Sequence, residues 1–534
     1  MLAKNLFFIK TMLVPCLFFF SVSAYPGLKI SAGQAKKLIS PGFLCQQINY
    51  LASDSMMGRN TPSRQLDSAA VYIAANFRKW GILPWNGSYF QEFPVCMRQL
   101  GDSNDLSILR PDGKIVMKLK ADYVPYDFSS AAPVTGTVMF AGYGITAPEF
   151  NYDDYRDADA RGKIVLVFRS EPQRDDSASI FNGAADTKYT SLKEKMKNAI
   201  AHGAIGMLVV NGPLQYPSVK ARGYPWPSLS NIIPKDAVPW ELCMDRDEQI
   251  PAVHVGEEVI RVLLGSLDSL KHLQARIDKN LVPVSFIIPV TSIRLHANII
   301  TNARVVKNVV GYIPGSDPVL GKQCLIIGAH YDHIGYLKEH KPGEDFIFNG
   351  ADDNASGASG VLAVAHAFSR MKQKSSRSIM FICFAGEEKG LFGSRYYTTH
   401  PLFPLAATVA MLNLDMISRN SPDSLYLEGA SQSPDITQIF LEENKKTKFT
   451  LVIKQNEFLG ASDQYSFYKH NVPFAFVFTG LHKDYHQVGD NPDKADCEKA
   501  ANISRLVLFS AYRIANEERR YSIIPLENDD PSGE

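Results

Sequence analysis

The stretch CLIIGAHYD, residues 324–332, decides the fold of this chain, because an unbroken apolar run ends abruptly on histidine and aspartate. Three similar runs follow it: SIMFICFAGEE at 378–388, TVAMLNLD at 408–415 and PFAFVFTG at 473–480. Continuous apolar runs of this length are typical of strands that are buried on both faces of a sheet. Amphipathic helical segments lie between the runs, and this alternation predicts an α/β fold with a largely parallel sheet.

The part of the chain before this region has a different pattern of apolar and polar residues. Residues 34–82 carry apolar side chains at helical spacing, interrupted by the turn-rich segment MMGRNTPSRQ at 56–65. Residues 125–290 instead hold short β-branched runs separated by glycine, proline and aspartate turns, which predict a separate strand-rich unit. More than one unit is also expected from the length of 534 residues, since a single hydrophobic core rarely organises so long a chain.

Residues 1–24 have the layout of a secretory signal. Lys4 and Lys10 precede an apolar stretch that closes on small residues, and cleavage is expected after Ala24. A membrane anchor or a buried helix is the alternative, but the run is short for a bilayer span and contains Pro15. We therefore expect a secreted or periplasmic protein without a stable membrane span after cleavage.

Charge and cysteine content limit the classes of partner and of metal site. The formal net charge is +1 with acids and bases interspersed, so no nucleic acid or anionic membrane is expected as a partner. Of the seven cysteines, six follow residue 24, and their pairing cannot be read from spacing. Cys324 and Cys383 lie inside strand-like runs, where buried free thiols are expected. The sequence contains no CxxC motif, which argues against cysteine metal ligands.

Candidate metal ligands come directly after the apolar runs or in a neighbouring loop. In an open α/β sheet the functional crevice lies beyond the carboxyl ends of the strands, so these positions carry the first candidates. The candidates are His330, Asp353, Glu388, Asp415 and His486. Each alone has a simpler explanation, such as a structural histidine, a helix cap or a turn-forming aspartate. Their coincidence at neighbouring strand ends favours a metal site.

The donor set narrows the choice of metal. Two imidazoles and three carboxylates without a thiolate suit zinc, with cobalt or manganese as alternatives, and disfavour calcium. Five protein ligands are too many for one catalytic zinc with an open position, but natural for two metals that share a carboxylate. We therefore expect two Zn²⁺ ions. Asp332 can accept the proton on the other ring nitrogen of His330 and so orient the ring, although it could also be a simple turn residue.

Five motifs occur in an order that resembles zinc exopeptidase family M28, the aminopeptidases of the leucyl and bacterial secreted type. They are HYD at 330–332, GADDNASG at 350–357, GEE at 386–388, NLDM at 413–416 and YHQ at 485–487. The segment GTVMFAGYGITAPEFNYDDYRDADARGKIVLVFR at 136–169 resembles a protease-associated (PA) domain, which members of this family often carry as an insertion.

The resemblance implies a fold and a domain arrangement. The expected fold class is α/β, phosphorylase/hydrolase-like, with a mixed and largely parallel sheet sandwiched by helices and an inserted β-rich PA domain. The implied parts are a signal peptide at 1–24, a discontinuous zinc peptidase domain at 25–124 and 296–520, the PA domain at 125–295, and a flexible tail at 521–534.

The resemblance also implies a role for each candidate residue. The ligands divide into a bridging Asp353, one site completed by His330 and Asp415, and a second site completed by Glu388 and His486. Glu387 is implied as the general base that takes a proton from the water shared by the metals. Tyr485 is a candidate for stabilising the oxyanion, with simple packing as its alternative. A cis peptide bond is implied between Asp353 and Asn354.

The implied activity is that of a secreted di-zinc exopeptidase, in the simplest case an aminopeptidase that acts on peptides. A carboxypeptidase or a glutaminyl cyclase of the same fold remains open, and so does an inactive binding protein with a peptidase fold. A glutaminyl cyclase normally uses one zinc, which the five-ligand set disfavours. Inactive relatives usually lose a ligand or the base, and none is missing here. The preferred residue at the cleavage site and the oligomeric state cannot be read from the sequence.

Overall fold

The computed structural model describes residues 31–183, 185–216, 218–221, 240–243, 249–453 and 456–526. The predicted signal, residues 1–24, lies outside the described residues. The α-helices of the described residues are α1 Ala32–Leu38, α2 Pro41–Leu51, α3 Arg64–Lys79, α4 Leu192–Ala201, α5 Glu257–Leu264, α6 Leu267–Asn280, α7 Gly357–Ser369, α8 Phe392–Thr399, α9 Pro434–Glu443, α10 Gln464–Tyr468 and α11 Cys497–Asn516. None of these helices combines the length and the apolar character that a membrane span requires.

The strands of the described residues fall into two large sheets and two short hairpins. In chain order they are β1 Phe90–Leu100, β2 Asp105–Arg110, β3 Gly113–Val116, β4 Tyr123–Pro125, β5 Val134–Ala141, β6 Thr146–Ala147, β7 Tyr152–Asp153, β8 Ile164–Phe168, β9 Gly206–Val210, β10 Glu241–Leu242, β11 Ala252–Val255, β12 Ser285–His296, β13 Ile299–Ile313, β14 Cys324–His330, β15 Gly335–Tyr336, β16 Ile347–Phe348, β17 Ser378–Phe384, β18 Thr408–Asp415, β19 Ser424–Glu428, β20 Thr450–Val452 and β21 Phe474–Phe478.

The first sheet has the strand order β10-β1-β13-β17-β14-β18-β21-β19-β20. Its centre is parallel, because β17, β14, β18 and β21 pair in one direction. Antiparallel pairing joins this centre to β13 and β1 on one side and to β19 on the other. The predicted α/β class with a mixed sheet and a parallel centre is confirmed.

The central strands are buried on both faces, as their continuous apolar sequence predicts. Leu325 and Ile327 of β14 join a core that includes side chains of α2, α3, α7 and α11. Ile326, between them, faces a second core with Tyr397 of α8 and Phe467 of α10. Helices therefore cover both faces of the sheet, and its functional edge is left at the carboxyl ends of the parallel strands.

The second sheet has the order β3-β2-β12-β5-β8-β9-β11-β4 and its own apolar cores on both faces. Residue 125, the predicted lower bound of the inserted unit, lies inside this sheet at the end of β4. The reason is that β2 and β3 extend the sheet edge through β12. We therefore propose 105–296 as the bounds of the inserted unit, from which β10 departs to pair with β1 of the first sheet.

The described part of the predicted flexible tail is packed against the rest of the chain. The side chain of Tyr521 is buried. The amide of Ile524 donates to the carbonyl of Gln432 at 2.8 Å, and the amide of Leu526 donates to the hydroxyl of Tyr468 at 2.9 Å. Residues 527–534 lie outside the described residues. A flexible tail thus remains a proposal for the last residues alone.

Two disulfides connect distant parts of the chain. Cys45 of α2 pairs with Cys497 at the start of α11, and Cys96 of β1 pairs with Cys243, which follows β10. The second bond therefore ties the inserted unit to the edge of the first sheet. Cys324 and Cys383 are free and buried, as the sequence predicts.

Removal of the Cys45–Cys497 bond is expected to lower the free energy of unfolding by about 2–5 kcal/mol. The bond joins residues 452 positions apart, so its loss releases a very long loop in the unfolded chain. Equilibrium denaturation of the double serine variant measures the effect, with a Cys324→Ala variant as a control that keeps both disulfides. An unchanged free energy of unfolding in the double variant would contradict this role.

Candidate metal centre

The structure brings the five sequence-predicted ligands together at the carboxyl edge of the first sheet. With His333 as a sixth residue, their donor atoms form two groups, and within each group the atoms lie within 4.8 Å of one another. The first group is His330, Asp353 and Asp415, and the second is His333, Asp353, Glu388 and His486. His330 and Asp415 are the last residues of β14 and β18, so the parallel pairing of these strands places them side by side.

Asp353 belongs to both groups because its two carboxylate oxygens face different neighbours. Oδ1 lies 3.4 Å from Nε2 of His330, and Oδ2 lies 3.1 Å from Nε2 of His486. The side chain is almost wholly buried between them. This is the arrangement that a carboxylate bridging two metal ions requires.

The spacing of the sequence-predicted donor atoms, which exclude His333, fits zinc in both groups. Nε2 of His330 lies 3.3 Å from Oδ1 of Asp415, and Nε2 of His486 lies 3.1 Å from Oε2 of Glu388. Ligand atoms about 2.0–2.1 Å from a tetrahedral zinc are about 3.3 Å from each other. Nitrogen and carboxylate oxygen donors are also what zinc accepts in proteins.

The carboxylate of Asp490 fixes the loop that carries Asp353. The main-chain amides of Asp352 and Asp353 each donate to Oδ2 of Asp490 at 3.0 Å. The carboxylate of Asp352 points away from the donor groups and accepts from the amide and the hydroxyl of Ser418 at 2.6 and 2.7 Å. Of the two adjacent aspartates, Asp353 alone therefore faces the site. The peptide bond between Asp353 and Asn354 is cis, as the resemblance implied.

Asp332 contacts two parts of the site in a way that differs in detail from the expectation. Nδ1 of His330 lies 3.3 Å from the main-chain carbonyl of Asp332 and 3.7 Å from its carboxylate. The carboxylate instead accepts from the amide of Glu387 at 3.2 Å and from the hydroxyl of Thr61 at 2.8 Å. The carbonyl therefore orients the ring, and the carboxylate positions the residue that the sequence assigned as the base.

Glu387 lies beside the donor groups without belonging to either of them. Its Oε2 is 4.0 Å from Nε2 of His330. Burial raises the pKa of Glu387 well above its usual range; the charge of His330 opposes this, while those of Asp415 and Glu388 add to it. A carboxyl group with a raised pKa is suited to accept a proton and to hold it.

The other acidic groups of the site also influence one another. Burial and the charge of Glu388 raise the pKa of Asp353 to about 6. Burial favours the protonated form of Glu388, but hydrogen bonds from His333 and His486 outweigh it and lower the pKa of this group. Burial opposes protonation of His486, whereas its hydrogen bonds to Asp353 and Glu388 raise its pKa to about 10. A bound cation would reduce the electrostatic repulsion between these closely spaced carboxylates.

His333 is a residue of the site that the sequence reasoning missed. Its Nδ1 lies 2.7 Å from Oε1 of Glu388, and its ring is fully buried. This distance is shorter than the separation of two ligands of one zinc and matches a charge-assisted hydrogen bond. We therefore assign His333 as the donor that orients Glu388. The available signal was its position directly after HYD, in a loop that the strand-end rule had already selected.

Tyr485 lies next to the second donor group. Its ring stacks on that of His486 with 3.9 Å between the centroids. Burial raises the pKa of the Tyr485 hydroxyl, and the charges of Asp353 and Glu388 raise it further. The raised pKa favours the protonated hydroxyl, which is the form that can donate a hydrogen bond.

Carboxylate and imidazole donors in two groups thus lie at the carboxyl edge of a mixed α/β sheet, in a chain that also carries an inserted β-rich unit. The family is then given by direct comparison. Residues 308–511 match the model of peptidase family M28, and residues 131–263 match that of the PA domain. The chain therefore carries an M28 peptidase domain with a PA domain inserted before it, and the resemblance stated from the motifs is confirmed.

Curated proteins and solved structures similar to this chain carry aminopeptidase names. Aminopeptidase YwaD of Bacillus subtilis is 24% identical over 434 residues, which cover 76% of this chain and 78% of that protein. Leucine aminopeptidase 2 of Trichophyton rubrum is 27% identical over 253 residues, 41% of this chain and 46% of that protein. The chain thus spans less than half of the length of this fungal relative. The solved aminopeptidase from Aneurinibacillus sp. strain AM-1 is 19% identical, with 93% of this chain and 99% of that chain covered and a TM-score of 0.46.

Proposed function

We propose that this chain is a secreted di-zinc exopeptidase that removes N-terminal residues from peptides. The observation that carries the proposal is the position of Asp353, whose two oxygens face separate donor groups at 3.4 and 3.1 Å. Glu387 stands beside these groups as a carboxylate that neither group uses. The aminopeptidase names of YwaD and of the fungal relative support peptide N-termini as the substrate.

Each residue of the site would have a separate role in hydrolysis. Zinc bound by the two donor groups would supply a water of lowered pKa and a Lewis acid for the scissile carbonyl. Glu387 accepts the proton of the attacking water and later donates it to the leaving amine, as its raised pKa allows. Asp332 keeps Glu387 in place through the amide contact at 3.2 Å. The hydroxyl of Tyr485 donates to the oxygen on which negative charge develops.

The proposed location outside the cytoplasm is supported by the covalent structure. The bonds Cys45–Cys497 and Cys96–Cys243 are of the kind that persists in secreted and periplasmic proteins. Residues 1–24, the proposed signal, would direct the chain there.

A panel of aminoacyl 4-nitroanilides with free and with acetylated amino groups tests the proposed activity. We expect hydrolysis of the free-amino substrates alone, complete loss with a chelator, and recovery on addition of Zn²⁺. Cleavage of amino-blocked dipeptides with a free carboxylate would instead indicate a carboxypeptidase. Cyclisation of an N-terminal glutamine would indicate a glutaminyl cyclase, and zinc binding without any hydrolysis would indicate a binding protein.

A further inference from the structure

Arg59 is a wholly buried arginine beneath the metal centre, in the segment MMGRNTPSRQ that the sequence reasoning treated as a connecting turn. We propose that Arg59 is a positioning residue of the centre, which holds the loop of His330 and the loop of Asp353 at a fixed separation. This inference rests on the metal centre proposed above and adds to it a residue that touches neither metal nor substrate.

The hydrogen bonds of the Arg59 guanidinium join the two loops directly. Nε donates to the carbonyl of Tyr331 at 2.9 Å, and Tyr331 is the neighbour of His330. Nη1 and Nη2 donate to the carbonyls of Asn349 and Gly350 at 2.7 and 3.0 Å, shortly before Asp353 in the chain. Because the guanidinium is planar and rigid, these three bonds set the distance between the two loops.

The backbone around Arg59 is fitted to the same loops. Met57, Gly58 and Arg59 have φ values of 44°, 66° and 46°, a left-handed run that non-glycine residues rarely adopt. A Cβ on Gly58 would lie 2.2 Å from the carbonyl oxygen of Gly335, so the turn sits directly against β15. The carbonyl of Arg59 also accepts from the amide of His333 at 3.3 Å. A strained conformation of this kind persists where the surroundings hold it, and here the surroundings are the ligand loops.

The positive charge of Arg59 acts on the carboxylates of the site and leaves their oxygens available to metal. Its hydrogen bonds among the described residues go to main-chain carbonyls, so the carboxylates of Asp353 and Glu388 remain available to metal. Burial lowers the pKa of Arg59 to about 10, and the charges of Asp332 and Asp353 oppose the decrease. Arg59 therefore stays a cation at neutral pH and offsets part of the negative charge of the cluster.

Arg377 provides a matched control at the opposite end of the sheet. It is equally buried, and it donates to the carbonyls of Ile514 and Arg519 at 2.6 and 2.8 Å. It directly precedes β17, whereas the metal donors lie beyond the carboxyl ends of the parallel strands. Replacing Arg377 removes a comparable set of main-chain contacts that has no link to the donor groups.

The test compares Arg59→Lys with Arg377→Lys in the full-length chain. Lysine keeps the positive charge but cannot make the forked contacts. We expect both variants to unfold at lower temperature. Only Arg59→Lys is expected to weaken zinc retention against a competing chelator by about 10–100-fold, to change the visible spectrum of the cobalt-loaded protein, and to lower kcat more than it raises KM.

Wild-type zinc affinity and an unchanged cobalt spectrum in Arg59→Lys would overturn the inference, as would equal losses in both variants. Hydrogen exchange of the wild-type chain gives a second test if the variant does not fold. Addition of zinc is expected to slow exchange in residues 57–60 together with the two ligand loops, but not around Arg377. Unaltered exchange in residues 57–60 would equally overturn the inference. Failure of the wild-type chain to bind zinc or to hydrolyse any substrate would refute the proposed function itself.

Discussion

Replacement of Glu387 by glutamine is expected to lower kcat by about 10²–10⁴-fold, the usual contribution of a general base. Glutamine keeps the size of the side chain, and the main-chain amide of residue 387 still donates to Asp332. The side-chain amide of glutamine, however, cannot accept a proton from water. Zinc content is expected to stay at the wild-type level, because the nearest donor nitrogen, on His330, lies 4.0 Å from the Glu387 carboxylate. Steady-state kinetics with metal analysis of the same sample measures both quantities.

Glu388→Gln is the matched control for this variant. It makes the same chemical change one residue further on, at a carboxylate 3.1 Å from Nε2 of His486. We expect this variant to lose metal as well as activity, with partial recovery at high zinc concentration. Full activity of the Glu387→Gln variant would remove Glu387 from the mechanism, and equal zinc loss in the two variants would show that both residues are ligands.

Replacement of Asp353 by asparagine is expected to weaken zinc binding in both donor groups and to abolish hydrolysis. Changes to residues that only orient a ligand cost about 10–100-fold in metal affinity, so loss of a shared carboxylate should exceed this range. An amide offers one neutral oxygen where Asp353 presents two charged oxygens to His330 and His486. Zinc titration followed by calorimetry measures the loss.

Asp415→Asn distinguishes a bridging ligand from an ordinary one. Asp415 belongs to the first donor group alone, at 3.3 Å from His330. This variant is therefore expected to lose one zinc and to retain the other with near wild-type affinity. If Asp353→Asn also lost a single zinc, the bridging role of Asp353 would be wrong.

The sheet and most of the donor set could be predicted because both follow from local sequence and one topological rule. The runs that became β14, β17, β18 and β21 are nearly continuous in apolar residues, as is typical of strands covered on both faces. Parallel strands end at the same edge, so the polar residue that closes each run must lie near the others. His330 and Asp415 were found in this way, and the structure places them 3.3 Å apart.

The residues that support the donors could not be predicted because their partners are distant in the chain. Arg59 contacts carbonyls of residues 331, 349 and 350, and a main-chain carbonyl leaves no trace in the sequence. Asp490 could not be predicted either, because its partners are main-chain amides of the distant Asp353 loop. His333 was within reach of the motif reasoning, but its role depends on the side-chain direction of Glu388, which spacing does not encode.

The edges of the inserted unit were hidden by pairing between distant segments. β2 and β3 lie before the predicted bound at residue 125, yet they complete the second sheet through β12. β10 lies within the inserted unit by sequence, yet it pairs with β1 of the first sheet. Hydrogen bonding between strands far apart in the chain sets these edges, and local composition reports none of it.

X-ray diffraction measured above and below the zinc absorption edge, on crystals grown with excess zinc, tests the two-metal centre most directly. We predict two anomalous peaks, one on each side of the Asp353 carboxylate. One peak should lie within ligand distance of His330 and Asp415, and the other within ligand distance of Glu388 and His486. A single peak, or peaks that do not contact Asp353, would contradict the proposed centre.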